Sequence, residues 1–233
     1  MSFRYYGGYQ HALINANTKL FGSFSSNPGN LGCEFFNQLF SNLHIDAIYK
    51  SFKVTNISDA MHAMKTLGII GCGISRPFKI DVLNYVDHQS NEVIEIGSAN
   101  TVINDKGILT AYNTDYQAVV DYLNENICEI AQKYDGRIHV LGSGGYARAV
   151  LYAIGLLKIR SNTITRDNWI DIQQIRNSVI FNCTPLDKEQ VQPEDSNWYI
   201  DCLPHTESGK DLSRRQAHYQ SILYLQSLTD ASP

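Results

Sequence analysis

The chain has 233 residues, about one and a half times the ~150 residues of a typical domain, so it holds one large domain or two small ones. Hydrophobic residues make up 43% and charged residues 18%, which supplies a core and excludes disordered, collagenous and coiled-coil chains. Nineteen basic against 23 acidic residues give a net charge of −4, with no basic excess for nucleic acid and no apolar run near the ~18 residues of a membrane span.

In chain order, residues 18–24 read as a strand, followed by a Gly/Asn/Pro-rich loop over 25–32 and an amphipathic helix over 33–43. Residues 46–52 alternate as a strand, and Ser58 is expected to cap a helix whose Ala60, Met61, Met64 and Leu67 share one face. A short buried strand over 68–75 runs into Arg76-Pro77-Phe78-Lys79, then a helix over 80–86. Two strand-like pieces, 98–103 and 108–113, join at the turn Asp105-Lys106-Gly107. Asn113-Thr114-Asp115 opens a long helix over 116–134 that ends at Asp135-Gly136.

A second unit follows. Strand 137–141 leads into Gly142-Ser143-Gly144-Gly145 and a helix to about residue 157. Strand 162–165, a helix near 171–176, strands 179–182 and 198–201 and a last amphipathic helix over 210–228 complete the chain. Alternating strands and helices are the mark of an α/β protein. The first ~17 residues, with Tyr5-Tyr6-Gly7-Gly8-Tyr9, match no motif.

Five cysteines (Cys33, Cys72, Cys128, Cys183, Cys202) are widely spaced, with no CxxC pair, and the seven histidines form no HxH or HxxxH pair. Neither a disulfide framework nor a metal site is expected from such spacing. The N-terminus lacks the apolar stretch of a signal peptide, so a cytoplasmic protein with reduced thiols is expected.

Gly142-Ser143-Gly144-Gly145-Tyr146-Ala147 is a GxGxxA pattern between an apolar strand and a helix. The first glycine permits the turn, the second lets backbone approach a pyrophosphate, and Ala147 keeps the helix close to the sheet. The next strand ends at Arg166, whose forked guanidinium suits a ribose 2′-phosphate and so favours NADP. Asp167 follows at once and could face the ribose instead, and Arg166 is also readable as a solvated charge.

Lys79 and Asp115 are the candidate proton-handling pair. Oxidation of a hydroxyl to a carbonyl needs a group to take the alcohol proton, and a buried lysine steered by a carboxylate can do so. Sequence does not bring the two together: Asp115 reads equally as a helix cap, and Lys79 as a surface residue.

The chain resembles the shikimate dehydrogenase family. That family's N-x-T-x-P-[FY]-K stretch is represented by residues 73–79, its I-G-A-x-N-T by Ile96-Gly97-Ser98-Ala99-Asn100-Thr101, and its G-x-N-T-D by Ala111-Tyr112-Asn113-Thr114-Asp115. G-A-G-G-A-A-R-A is similar to residues 142–149, N-x-T-P to Asn182-Cys183-Thr184-Pro185, and the S-G-x-x-M-L…Q-A segment to residues 208–217. The resemblance implies a substrate-binding α/β unit over 1–115, a Rossmann-like NADP-binding unit over 116–207, and a C-terminal helix over 208–229 that returns to the first unit. It further implies Lys79 and Asp115 as the catalytic pair, Ser75, Asn100 and Gln216 on the substrate, and Thr184 and Pro185 near the nicotinamide.

Three departures stand out. The serines of the family's S-x-S-P-x-x-H-N loop, which hold the substrate carboxylate, fall at Asn30 and Gly32 when counted back from Asn37. Each lost donor to an anion costs about 1.5–3 kcal/mol. Arg76 is one compensating candidate, and Asn30 is expected to keep a donor in the site. The family's asparagine before V-T is replaced by Gly73. Finally, Asp201-Cys202-Leu203-Pro204 passes into Ser208-Gly209 without the family's tyrosine, helix and strand, so a trimmed second unit is expected. A trimmed sheet leaves an edge that needs cover, which a homodimer can supply.

These departures resemble the shikimate-dehydrogenase-like subgroup, with its S-N-x-G loop, G-C-x-[VI]-S-x-P-F-K and A-Y-N-T-D-Y. The leading expectation is an NADP-dependent oxidoreductase interconverting shikimate, or a related polyol carboxylate such as quinate or aminoshikimate, and its 3-dehydro form. The alternative is a weak or inactive relative that binds nucleotide or a shikimate-like ligand.

Overall fold

The structure, a computed structural model, describes residues 14–134 and 136–229. Asp135 of the expected turn and the tyrosine-rich segment near residue 5 lie outside the described residues. The first sheet contains six strands: β1 (Lys19–Ser25), β2 (Ala47–Lys53), β3 (Gly71–Ile74), β4 (His88–Gln89), β5 (Thr101–Asp105) and β6 (Ile108–Tyr112). Their order is β2-β1-β3-β5-β6-β4. β1 pairs parallel with β2 and β3, whereas β5 runs antiparallel to β3 and β6. That arrangement brings the C-terminal ends of β1, β3 and β6 and the N-terminal end of β5 to one edge.

Helices cover both faces of this sheet. α2 (Ile57–Thr66) packs Ile57, Ala60, Met61 and Met64 against Cys72, Ile74, Val102 and Leu109. α1 (Leu31–Asn42) buries Phe36 and Phe40 on the other face, against Phe21 and Tyr49. The cap of α2 is Asn56 rather than Ser58: the Asn56 side chain accepts from the amides of Ser58 and Asp59, and an Asx side chain makes that bond from the residue before the helix. The expected helix over 80–86 is a single 3₁₀ stretch, Asp81–Tyr85. α3 (Asn91–Ile96) carries no sequence signal, since six residues are too few to show a period; it ends at Gly97 in the left-handed conformation (φ 68°).

The second sheet is built from α4 (Asp115–Lys133), β7 (Arg137–Leu141), α5 (Gly145–Leu156), β8 (Arg160–Ile164), β9 (Val179–Asn182), α6 (Lys188–Val191) and β10 (Trp198–Asp201). Its four strands are all parallel, in the order β10-β9-β7-β8. α4 and α5 pack Val119, Leu123, Val150 and Ile154 on one face, while a 3₁₀ stretch (Arg166–Gln174) and α6 cover the other. α7 (Glu207–Thr229) spans the two halves: Leu212 joins the second core, whereas Ala217 and Tyr224 join the aromatic cluster on the first sheet.

The doubly wound dinucleotide fold has strand order 3-2-1-4-5-6, in which β8-β7-β9-β10 are strands 2-1-4-5. The second sheet is therefore short at both edges, not only between Leu203 and Ser208 as the motif spacing implied. Only the 3₁₀ stretch stands between β8 and β9, where the fold places strand 3 and its helix. As a result Arg160, Ser161, Asn162 and Thr163 of β8 are all exposed. Among the described residues, no helix is long and apolar enough to cross a membrane.

Candidate active site

The C-terminal ends of β1, β2, β3, β9 and β10 and the head of β5 face a cleft of about 450 Å³. Such crevices beyond the strand ends are where open α/β sheets place ligands. Lys79, on the segment after β3, and Asp115, the first residue of α4, meet at its centre: Lys79 Nζ donates to Asp115 Oδ2 at 2.5 Å. The side chains are 13% and 3% exposed. Asp115 does not cap its helix, since Thr114 holds the cap position. Its carboxylate instead lies beside the helix start, whose dipole favours negative charge, and its Oδ1 accepts from Asn100 Nδ2 at 3.0 Å.

Asn100, at the head of β5, organises the base of the site. Its amide nitrogen also faces Thr114 Oγ1 at 2.8 Å and Gln216 Oε1 at 3.1 Å, and its oxygen accepts from the Thr114 amide at 2.8 Å. Asn113 holds the same turn by accepting from the Asp115 amide and donating to the Ser98 carbonyl. Gln220, one turn beyond Gln216 on α7, donates to Thr101 Oγ1 at 2.8 Å. A buried polar cluster with this many internal bonds keeps the carboxylate and the two amides in one arrangement.

The second unit closes the cleft with Tyr146, Cys183, Thr184, Pro185 and Cys202. The Lys79 ammonium lies 5.1 Å from the Tyr146 ring centroid. Burial pushes the Tyr146 phenol well up, so it stays protonated at neutral pH. Tyr146, within the glycine-rich pattern, carries its side chain into the cleft. Gly145 seats this turn on the first unit: its carbonyl accepts from Ser98 Oγ at 2.8 Å, and a Cβ there would stand 2.6 Å from Lys79 Cβ.

Gly142 (φ +104°) makes the turn after β7. Ser143 and Gly144 are exposed, no side chain caps α5, and nothing lies within 4 Å of a Cβ built on Gly144. The first helical amides, with Ala147 buried behind them, thus face open space of the kind a pyrophosphate needs. Arg166 and Asp167 are both exposed at the end of β8. Residues 142–145, Ala147 and Arg166 are not in the lining of the cleft.

Ser75 lines the cleft, as does Arg76 at its rim. Asn30 does not: it is exposed at the start of α1, one residue ahead of the helix, with its side chain making no cap bond. Hydroxyls lining that end include Ser23 on β1, Ser51 on β2, Tyr49, and Ser25 and Ser26 at the end of β1, with Ser23 Oγ donating to Ser51 Oγ at 3.2 Å. Sequence carried no signal for them: Ser23 and Ser51 stand in register on neighbouring parallel strands, a pairing that only the fold reveals. Gly73 also has its reason here. A Cβ on it would stand 3.1 Å from Tyr49 Oη and 3.3 Å from Gln220 Nε2, so those side chains fill the space.

Comparison with known proteins places this geometry. Residues 31–102 match the model of the shikimate dehydrogenase substrate binding domain. A shikimate dehydrogenase-like protein of Haemophilus influenzae is 40% identical over 147 residues, covering 60% of this chain and 51% of that protein. An NADP(+)-dependent shikimate dehydrogenase of Clostridium beijerinckii is 34% identical over 175 residues, covering 67% and 63%. The chain thus spans about half the length of the first relative and under two thirds of the second. Among solved structures, a shikimate 5-dehydrogenase-like protein superposes with a TM-score of 0.68 at 26% identity, over 91% of this chain and 93% of that one. Shikimate dehydrogenase 1 of Peptoclostridium difficile superposes with a TM-score of 0.73 at 21% identity over 89% and 92%, a likeness of fold. The resemblance to the shikimate dehydrogenase family, and to its shikimate-dehydrogenase-like members, holds in sequence and in fold.

Proposed function

We propose that this chain, a relative of the shikimate dehydrogenases, is an NADP-dependent oxidoreductase acting on shikimate or a related ring polyol carboxylate such as quinate or aminoshikimate. The observation that carries the reading is the buried Lys79–Asp115 pair, joined by Asn100 and Gln216, at the centre of a cleft between a substrate unit and a dinucleotide unit. Residues 1–115 with 208–229 form the first unit in this reading, and 116–207 the second.

The donors of the second unit fit a dinucleotide: a glycine turn, uncapped helix amides and an exposed guanidinium at Arg166. When bound, NADP supplies the hydride acceptor for the alcohol and, reduced, the hydride donor for the ketone. The chain's own residues handle the rest. Asn100 and Gln216 accept and donate to ring hydroxyls, and Ser23, Ser51 and Ser75 offer hydroxyl donors along the same wall. Lys79, once its ammonium has released a proton to solvent, takes the proton from the hydroxyl being oxidised as a neutral amine; in reverse its ammonium gives a proton to the ketone oxygen. Asp115 holds the ammonium in place while that oxygen changes charge.

The bare edges of the second sheet favour one rival reading, a relative that binds the ring acid without turning it over. Calorimetric titration with NADP and NAD separately decides the first step: NADP binding, weakened in Arg166→Ala, supports the dehydrogenase. No binding of either nucleotide leaves the rival.

A further inference from the structure

We infer that Cys183 and Cys202 form a redox-active dithiol on the wall of the cleft, which closes to a disulfide by exchange with a small-molecule disulfide. β9 and β10 pair in parallel register with Asn182 opposite Asp201, and the Cys202 amide donates to the Asn182 carbonyl at 3.1 Å. The next residue on each strand is a cysteine. The two backbones therefore stand about one strand spacing apart, ~4.8 Å, inside the ~4.4–6.8 Å Cα separation that disulfides adopt.

Side-chain direction agrees with this spacing. Asn182 Nδ2 donates to Asp201 Oδ1 at 3.3 Å on one side of the pair. Alternation along the strand sends the following residues to the opposite side, where both cysteines line the cleft, partly open to solvent. The two thiols are close enough to shift each other's electrostatics, as are Cys202 and the Tyr146 hydroxyl. The remaining cysteines are placed otherwise. Cys33 bonds Ser51, Cys72 is fully buried in the first core, and Cys128 is exposed on α4.

The exchange balances without any further reagent. The Cys183 thiolate attacks one sulfur of oxidised glutathione, and one glutathione thiolate leaves. Cys202 then gives up its proton, attacks the Cys183 sulfur of the mixed disulfide and expels the second glutathione. Two protein thiols lose two electrons, the small disulfide gains them, and one S–S bond replaces another. Burial and the adjoining Cys183 thiol push the Cys202 thiol well up, which suits it to the second attack rather than the first. The product ties the loops after β9 and β10 together beside Tyr146 and Thr184.

The inference stands apart from the proposed activity, because the bridge is read by mass and not by turnover. The full-length reduced chain is incubated with oxidised glutathione, alkylated, digested and mapped. The expected result is a bridged peptide pair containing Cys183 and Cys202, retained in Cys128→Ser and lost in both Cys183→Ser and Cys202→Ser. Phenylarsine oxide, which needs two adjacent thiols, is expected to bind the reduced wild-type chain one to one in the same experiment. A bridge joining another pair of cysteines, or glutathione adducts without a bridge in the wild-type chain, overturns the proposal.

Discussion

Replacing Lys79 with methionine isolates what the buried ion pair contributes. Methionine keeps an unbranched side chain of similar length, so the main change is removal of the ammonium from a carboxylate that is 3% exposed. Breaking a buried pair by deleting one partner costs about 3–5 kcal/mol. Asp115 keeps its bond from Asn100, and Lys79 is 13% exposed, so some solvent reaches the site. The expected loss is therefore at the low end, about 3 kcal/mol, or about 6–12 °C in melting temperature for a chain of this size. Lys79→Met/Asp115→Asn, which removes the stranded charge as well, is expected to recover at least about 1 kcal/mol of coupling in urea unfolding. Single and double variants that add within about 0.5 kcal/mol would refute the reasoning, because the two groups would then not share one buried interaction.

Two other perturbations test separate parts of the account. Gly145→Ala puts a Cβ 2.6 Å from Lys79 Cβ and 3.2 Å from Ser98 Cβ; neither atom is the free end of a flexible chain, so urea unfolding should show a loss of about 1–3 kcal/mol. An unchanged midpoint would mean that the α5 turn is not seated on the first unit. Asp87 accepts from the Leu109 amide at 2.7 Å and from Lys65 at 2.9 Å, and these bonds, the amide first, hold its carboxyl below the ordinary carboxylate range. A depressed folded-state pKa stabilises above the unfolded value and loses that contribution as pH falls through the folded one. Asp87→Asn is thus expected to flatten the acid limb of the stability curve while costing stability at neutral pH. An acid limb unaltered by the substitution contradicts it.

Strands β7, β9 and β10 were legible with their bounds because each is a short apolar run between turn residues. α3 was not, since six residues are too short for a period to show, and the helix expected over 80–86 is a five-residue 3₁₀ stretch because so short a segment does not settle into a full α-helix. The missing strand beyond β8 left no trace in a motif reading, because no motif lies between Arg166 and Val179 to be lost. It became visible only as an exposed edge strand. In the site, residue types were readable but directions were not. Lys79 and Asp115 are 36 residues apart and meet only because β3 and the start of α4 end at the same sheet edge. Asn30 has the right chemistry but is exposed and outside the lining, while Ser23 and Ser51, hidden in strand alternation, line the cleft.

The central claim is that Lys79 moves the substrate proton in an NADP-linked oxidation. Its most direct measurement is nicotinamide absorbance during incubation with NADP and shikimate, quinate or aminoshikimate, for the wild-type chain and for Lys79→Ala. The account predicts substrate-dependent NADP reduction by the wild-type chain, abolished in Lys79→Ala while calorimetric NADP affinity stays the same. Turnover that survives in Lys79→Ala, or a wild-type chain that binds NADP and reduces none with any of the three acids, contradicts it.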